Sequence, residues 1–180
     1  MSFPKPYADF VARMRVPSGF VLLAAYVWLA RPSLESIARG TLIAIVGLAI
    51  RAWAAGHLEK NMALARSGPY AWVRNPLYLG TLTVAAGFVI AARRWELAAL
   101  FAAVFALVYL PVVELEEQHL ANLFPEFADY KRRVPKLVPR MPHKPVMKPF
   151  RWSVYRRNEE YKALGGFLIG LALLLWKALR

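Results

Sequence analysis

Three carboxylates, Glu114, Glu116 and Glu117, stand where an apolar run gives way to polar chain. Charge at such a boundary is costly unless water or a cation meets it. The cluster therefore suits either a solvated helix end with arginine partners or a pocket in which one carboxylate faces a cationic ligand. Upstream, Ser67–Gly80 packs two Gly, two Pro, two Tyr, one Trp and one Arg into fourteen residues. Aromatic faces attract cations, so Tyr70, Trp72 and Tyr78 suit interfacial anchoring or contact with a positively charged ligand. Arg74 and Arg51 suit long stems that snorkel to a headgroup layer. The histidines are His57, His119 and His143. Glu116 and His119 have the i, i+3 spacing of helical metal pairs, but no second copy follows, so no metal is expected. The absence of Cys excludes disulfides and thiolate chemistry. Neither a Gly-rich nucleotide loop in a βαβ setting nor a Ser/His/Asp nucleophile arrangement is present.

The elements that must position these groups are apolar. The chain is 58% hydrophobic, with mean hydropathy +0.36 and net charge +13. That pairing points to an integral membrane protein with a basic face on anionic lipid, and away from a nucleic-acid binder. Five apolar runs stand out, over 16–30, 40–56, 77–92, 97–113 and 163–176. A spanning helix needs about 20 residues, so several runs must borrow flanking residues. Trp28, Trp53, Trp72, Trp95 and Trp176 lie near run ends, where an aromatic belt forms. The fifth run carries Gly166 and Gly170, a spacing that lets helices approach closely. The first run lacks a small-residue cleavage site and reads as a retained membrane segment. The expected fold is all-α: one domain over 1–180, a polytopic bundle of about five transmembrane helices with a cytoplasmic-side amphipathic helical segment. Residues 91–95 form a short connection, making runs three and four an antiparallel hairpin. Pro111 loosens the fourth helix just before the acidic cluster. That helix continues out of the membrane to about Phe124, and 127–133 forms a short amphipathic helix. Five prolines among basic residues over 135–149 predict an extended strap on lipid headgroups.

Charge sets the orientation. With a cytoplasmic N-terminus, 17 of the 24 Lys and Arg fall on inside segments. The two motif-rich stretches then share the cytoplasmic face and can build one aromatic, acidic pocket.

The first stretch resembles the signature of the isoprenylcysteine carboxyl methyltransferase and phospholipid N-methyltransferase group, Gly-x-Tyr-x-x-x-Arg-His-Pro-x-Tyr-x-Gly. Here it reads Gly68, Tyr70, Arg74, Asn75, Pro76, Tyr78 and Gly80. The second block of that group, a Glu pair followed by aromatic and Val-Pro positions, matches Glu116-Glu117, Phe124, Phe127, Tyr130 and Val134-Pro135. The likeness covers about 40–140 and leaves 141–180 as a C-terminal extension. It implies transfer of a methyl group from S-adenosylmethionine to a lipid or other hydrophobic or amphiphilic acceptor. The setting implied is an integral membrane, of the bacterial inner type or an equivalent, with the active site cytoplasmic. By position, Met62, Ala63, Leu64, Ala65, Tyr70, Asn75, Pro76, Leu77, Tyr78 and Glu116 would hold the cofactor. Tyr78, Glu116 and Asn75 would serve catalysis, with His57, Arg74 and Glu117 as substrate or supporting residues.

Three departures qualify the resemblance. Asn75 replaces the usual His and cannot act as a base or carry charge; His57 is a candidate substitute imidazole. The arginine that precedes the Glu pair in the isoprenylcysteine enzymes, read as binding the substrate carboxylate, falls on Val112. Residues 141–180 run past the usual end, where they would cap the pocket, bind lipid or support a dimer. Two further readings stand beside the main one: a phosphatidylethanolamine-type N-methyltransferase, and a non-catalytic membrane lipid-binding or scaffold protein. The acceptor atom, oligomeric state and spanning of the last run are open at this level.

Overall fold

The structure is a computed structural model that describes residues 4–142 and 148–180. Of the Pro-rich strap, 143–147 lie outside those residues. The described chain folds into helices α1 (Lys5–Leu29), α2 (Leu34–Ala55), α3 (Pro76–Ala92) and α4 (Trp95–Leu123). Three more follow: α5 (Phe127–Arg133), α6 (Trp152–Arg157) and α7 (Tyr161–Ala178). No strand occurs among the described residues, and the fold is the expected all-α membrane bundle. By length and hydropathy α2, α4 and α7 can each cross a membrane, and Val16–Leu29 and Pro76–Ala92 are shorter apolar helical stretches. Only 28%, 22% and 11% of the apolar windows of α2, α4 and α7 are buried within the chain. Outward residues such as Phe20, Leu42, Ile45, Leu107 and Ile169 therefore need a hydrocarbon solvent.

The closest helix pair is α2 with α3, running antiparallel, and glycine sets its spacing. Gly40 meets Gly87 and Gly47 meets Gly80, so that a side chain on Gly40 would strike the Gly87 carbonyl oxygen. The two glycines of each helix are seven residues apart, which returns both to one face and lets the backbones touch. The Gly166/Gly170 spacing in α7 is not used this way. Gly166 faces open space, and Gly170 takes the edge of the Phe88 ring.

Pro111 has the expected loosening effect. The turn before it, Phe105–Tyr109, is widened into a π-helical turn within α4. Proline has no N–H to give the Leu107 carbonyl, and the Tyr7 hydroxyl of α1 donates to that oxygen instead, at 2.6 Å. Helix α1 starts at Lys5, earlier than its apolar run, and carries Pro17 inside it. Far from this end, Ser33 and Ser36 cap α2 reciprocally. There Lys177 of α7 donates to the Val27 carbonyl of α1.

The start of the strap does not lie out on headgroups as the composition suggests. The Arg74 amide donates to the Pro135 carbonyl at 2.8 Å, and the Arg140 amide donates to the Trp72 carbonyl at 3.0 Å. Leu137 packs on the cluster of Tyr78, Phe105 and Val113. Main-chain groups of the two motif stretches satisfy each other here, which headgroups could not do as regularly.

Candidate functional site

The Ser67–Gly80 stretch forms a short 3₁₀ turn, Gly68–Ala71, followed by the start of α3 at Pro76. Gly68 takes φ +58°, and a side chain there would strike the His57 ring. Pro76 fits the first helical turn, where no amide hydrogen is required. This geometry lays Tyr78 on α3 against α4, and its hydroxyl donates to a Glu116 carboxylate oxygen at 2.9 Å. The Tyr78 ring meets Tyr109 edge-on at 6.3 Å.

Arg74 and Asn75 build the support behind that wall. Arg74 donates through Nε and an Nη to the two oxygens of Glu117, at 2.9 and 3.3 Å. Its other Nη donates to the carbonyls of Lys131 and Val134. The Asn75 amide donates to Glu117 and to the Lys136 carbonyl. Lys136 reaches across to Glu114 at 2.5 Å. Glu117 is 2% exposed and Arg74 8%, so this bidentate pair is shielded from water. Arg74 is thus a buried brace, not a headgroup snorkeler: Glu117 and the two carbonyls take up its donors on the protein side.

The cavity in front has a volume of about 830 Å³, within the range of small-molecule sites. Ala63, Leu64, Ala65, Tyr70, Asn75, Leu77, Tyr78 and Glu116 all line it, and Arg74 and Glu117 border it. Met62 and Pro76 do not. Met62 is 69% exposed, and Pro76 is sealed inside the α3 start. His57 is also absent from this wall. It borders a separate hollow of about 80 Å³ with Ser67 and Lys148. There its Nδ1 lies 3.1 Å from the Ser67 hydroxyl, and Phe150 packs edge-on to the ring. His57 thus lies apart from the Tyr78–Glu116 cavity, with its ring against the turn at Gly68. Burial, and then the nearby Arg151 charge, hold its pKa below the ordinary 6.5. Tyr70 is buried under α5, with the Tyr130 hydroxyl donating to its carbonyl at 2.8 Å. Burial, and next Tyr130, push the Tyr70 phenol well above its ordinary value, so it stays a neutral hydroxyl.

Several lining residues escaped the sequence reading. Arg51, expected to snorkel, turns into the cavity and pairs with Glu160. The Asn61 amide oxygen accepts from His119 Nε2 at 3.2 Å, and Asn61 itself takes φ +59°. Asn158 caps the chain after α2, donating to the carbonyls of Ala55 and Leu58 at 2.8 Å each. The one available signal was Arg51 itself, a charge inside an apolar run. Among the described residues, no group of three or more His, Cys, Asp or Glu is arranged to hold a metal ion.

The phospholipid methyltransferase family matches residues 15–126, more than half of the chain. The cobalt-zinc-cadmium resistance protein CzcN of Cupriavidus metallidurans is 39% identical over 104 residues, covering 57% of this chain and 47% of that protein. The nickel-cobalt-cadmium resistance protein NccN of Alcaligenes xylosoxydans xylosoxydans is 31% identical over 189 aligned positions. That match covers 96% of this chain and 82% of NccN. The chain thus spans about half of the first relative's length and most of the second's. No solved structure matches significantly.

Proposed function

Since the chain belongs to the phospholipid methyltransferase family, we propose that it methylates a lipid or other amphiphilic acceptor at the membrane with S-adenosylmethionine as donor. When bound, that cofactor supplies an electrophilic methyl group on a positively charged sulfur. The donor set suits it. Glu116 offers a carboxylate to an ammonium or to ribose hydroxyls, and Tyr78 and Tyr109 present ring surface to a cation. The observation that carries the proposal is the convergence of Ala63–Ala65, Tyr70, Leu77, Tyr78 and Glu116 on one cavity beside apolar helices.

In this reading the protein works mainly by positioning. In-line transfer from a sulfonium needs alignment and water exclusion more than proton transfer. Tyr78 fixes the Glu116 carboxylate by its hydrogen bond. The Arg74–Glu117–Asn75 network holds the α3 start against α4, so that Tyr78 keeps its place. Asn75 lines the cavity, but its amide group is engaged by Glu117 and Lys136. Its part is to anchor the wall.

Calorimetry of S-adenosylmethionine binding to purified protein tests the assignment. Glu116→Ala and Tyr78→Ala should each weaken binding at least about tenfold, equivalent to ~1.4 kcal/mol. Unchanged binding in both variants would sink it. The family's own description favours a phospholipid acceptor, and an amine acceptor must lose a proton before it attacks. Lipid mass spectrometry with a labelled methyl donor separates amine from oxygen or sulfur products. The relatives' names raise a role in metal resistance here as well. Growth of a deletion strain on nickel, cobalt and cadmium salts tests that role.

A further inference from the structure

We infer that the short helix α6 and the residues at its two ends, Arg151 and Asn158, position the loop that takes the methyl donor, with Asn158 as the chief positioning residue. The inference rests on the methyltransferase reading and gives its donor side a part drawn from beyond the family-matched residues 15–126.

The need for it arises at the end of α2, where Ala54, Ala55 and Gly56 are buried. The last carbonyls of a helix find no partner within it. A left-handed glycine commonly closes such an end by turning the chain back on it. Gly56 instead takes φ −72° and ψ −9°, a right-handed conformation. The chain therefore runs on toward the cavity, and donors must come from elsewhere. Asn158 Nδ2 donates to the carbonyls of Ala55 and Leu58 at 2.8 Å each. The Arg151 amide donates to the Gly56 carbonyl at 3.2 Å, and its guanidinium pairs with Glu59. The Phe150 ring lies where a side chain on residue 56 would go.

Helix α6 spaces these donors. Arg151 and Asn158 are its N-terminal and C-terminal caps. Val154, 3% exposed, anchors it between them. Asparagine suits its place because one amide nitrogen carries two hydrogens, and two carbonyls face it. Glu159, at φ +53°, then turns the chain into α7.

The clasp reaches the cavity through Glu59. The amides of Met62 and Ala63 donate to the Glu59 carbonyl at 3.2 and 3.3 Å, so a shift of Glu59 carries Ala63–Ala65 with it. Leu58, Glu59 and Ala63–Ala65 all line the cavity that holds Tyr78 and Glu116. The loop's tie to α4, from Asn61 to His119, is exposed, so water competes for it. The buried hold on the loop is the one made by Asn158 and Arg151. Positioning groups displaced by about an ångström lose much of their effect on a bound reactant. The C-terminal extension thereby acts on donor binding through main-chain contacts, without supplying the donor's own partners.

Two measurements on the full-length purified protein in detergent test this: titration calorimetry with S-adenosylmethionine, and hydrogen exchange of the backbone amides without it. Asn158→Ala should weaken donor binding about tenfold at a temperature well below its melting point. Its exchange should quicken over residues 57–65 while α3 and α4 keep wild-type rates. Asn158→Gln keeps an amide donor on a longer arm and should recover part of the affinity; Asn158→Asp, equal in size but without the donor, should recover none. Arg151→Gln removes the partner of Glu59 but keeps the main-chain bond to Gly56. It should weaken binding by a smaller factor, about threefold, with the same local exchange pattern, and it reads the loop even if Asn158→Ala fails to fold. Binding within about twofold of wild type in both Asn158→Ala and Asn158→Asp overturns the inference. So does faster exchange spread evenly over all the helices, which marks a general loss of stability. Wild-type protein that binds no S-adenosylmethionine would count against the methyltransferase reading, whereas exchange measured without the cofactor judges the clasp separately.

Discussion

Removing the Arg74 guanidinium should cost this protein more than any single change on the cavity surface. Glu117 is 2% exposed and Arg74 8%. Arg74→Ala leaves that carboxylate buried, frees the carbonyls of Lys131 and Val134, and unties α3 from α5. Breaking a buried pair from one side costs about 3–5 kcal/mol. The Nζ atoms of Lys131 and Lys136, each 3.7 Å from Glu117, offset part of this, so the low end of that range applies, ~3 kcal/mol. For a chain of this size, that is a melting-temperature loss of roughly 6–12 °C. Thermal unfolding in detergent, followed by circular dichroism, measures it. Adding Glu117→Gln to Arg74→Ala removes the stranded charge and should recover part of the loss. A single variant that melts within about 2 °C of wild type, or a double variant no better than the single, would show that the pair does not brace the site.

Three more outcomes follow from particular contacts. Gly40→Ala pushes a methyl group into the Gly87 carbonyl and should destabilise by about 1–3 kcal/mol; Gly166→Ala meets open space and should be neutral or slightly stabilising, within about 1 kcal/mol. Matched melts of the two variants give the contrast. Tyr78→Phe removes one hydrogen bond to Glu116 and should weaken cofactor binding by about 0.5–1.5 kcal/mol, less than Tyr78→Ala; titration calorimetry resolves the difference. His57 titrates below its ordinary 6.5 when folded, through burial first and Arg151 second. As pH falls below about 6.5 the unfolded chain takes a proton that the folded chain refuses, so stability is full above that pH and declines below it. His57→Gln should flatten this decline, and melts between about pH 8 and 5 check it.

Much of the architecture was legible from local pattern. Five apolar runs became helices because hydrocarbon demands that each segment satisfy its own backbone. The helix at 127–133 came out at the expected residues, and the loosening tied to Pro111 appears one turn ahead of it, over Phe105–Tyr109. The glycine contact was missed because two seven-residue spacings must be matched across different helices before either means anything. The Gly166 spacing is as visible in sequence and meets nothing.

What the chain determined by itself is the set of apolar helices and the two motif stretches, since hydropathy and turn chemistry act over a few residues; the short helix Trp152–Arg157 was not among them. The tertiary structure decided what the long charged side chains do. Arg51 pairs with Glu160, 109 positions away, and Arg74 with Glu117, 43 away. His57 is ten residues from Ser67 yet is turned off the main cavity by the backbone at Gly68. A guanidinium on a long flexible stem has headgroup, carboxylate and carbonyl all within its reach. Its partner is set by which desolvated acceptor the packed helices bring within reach.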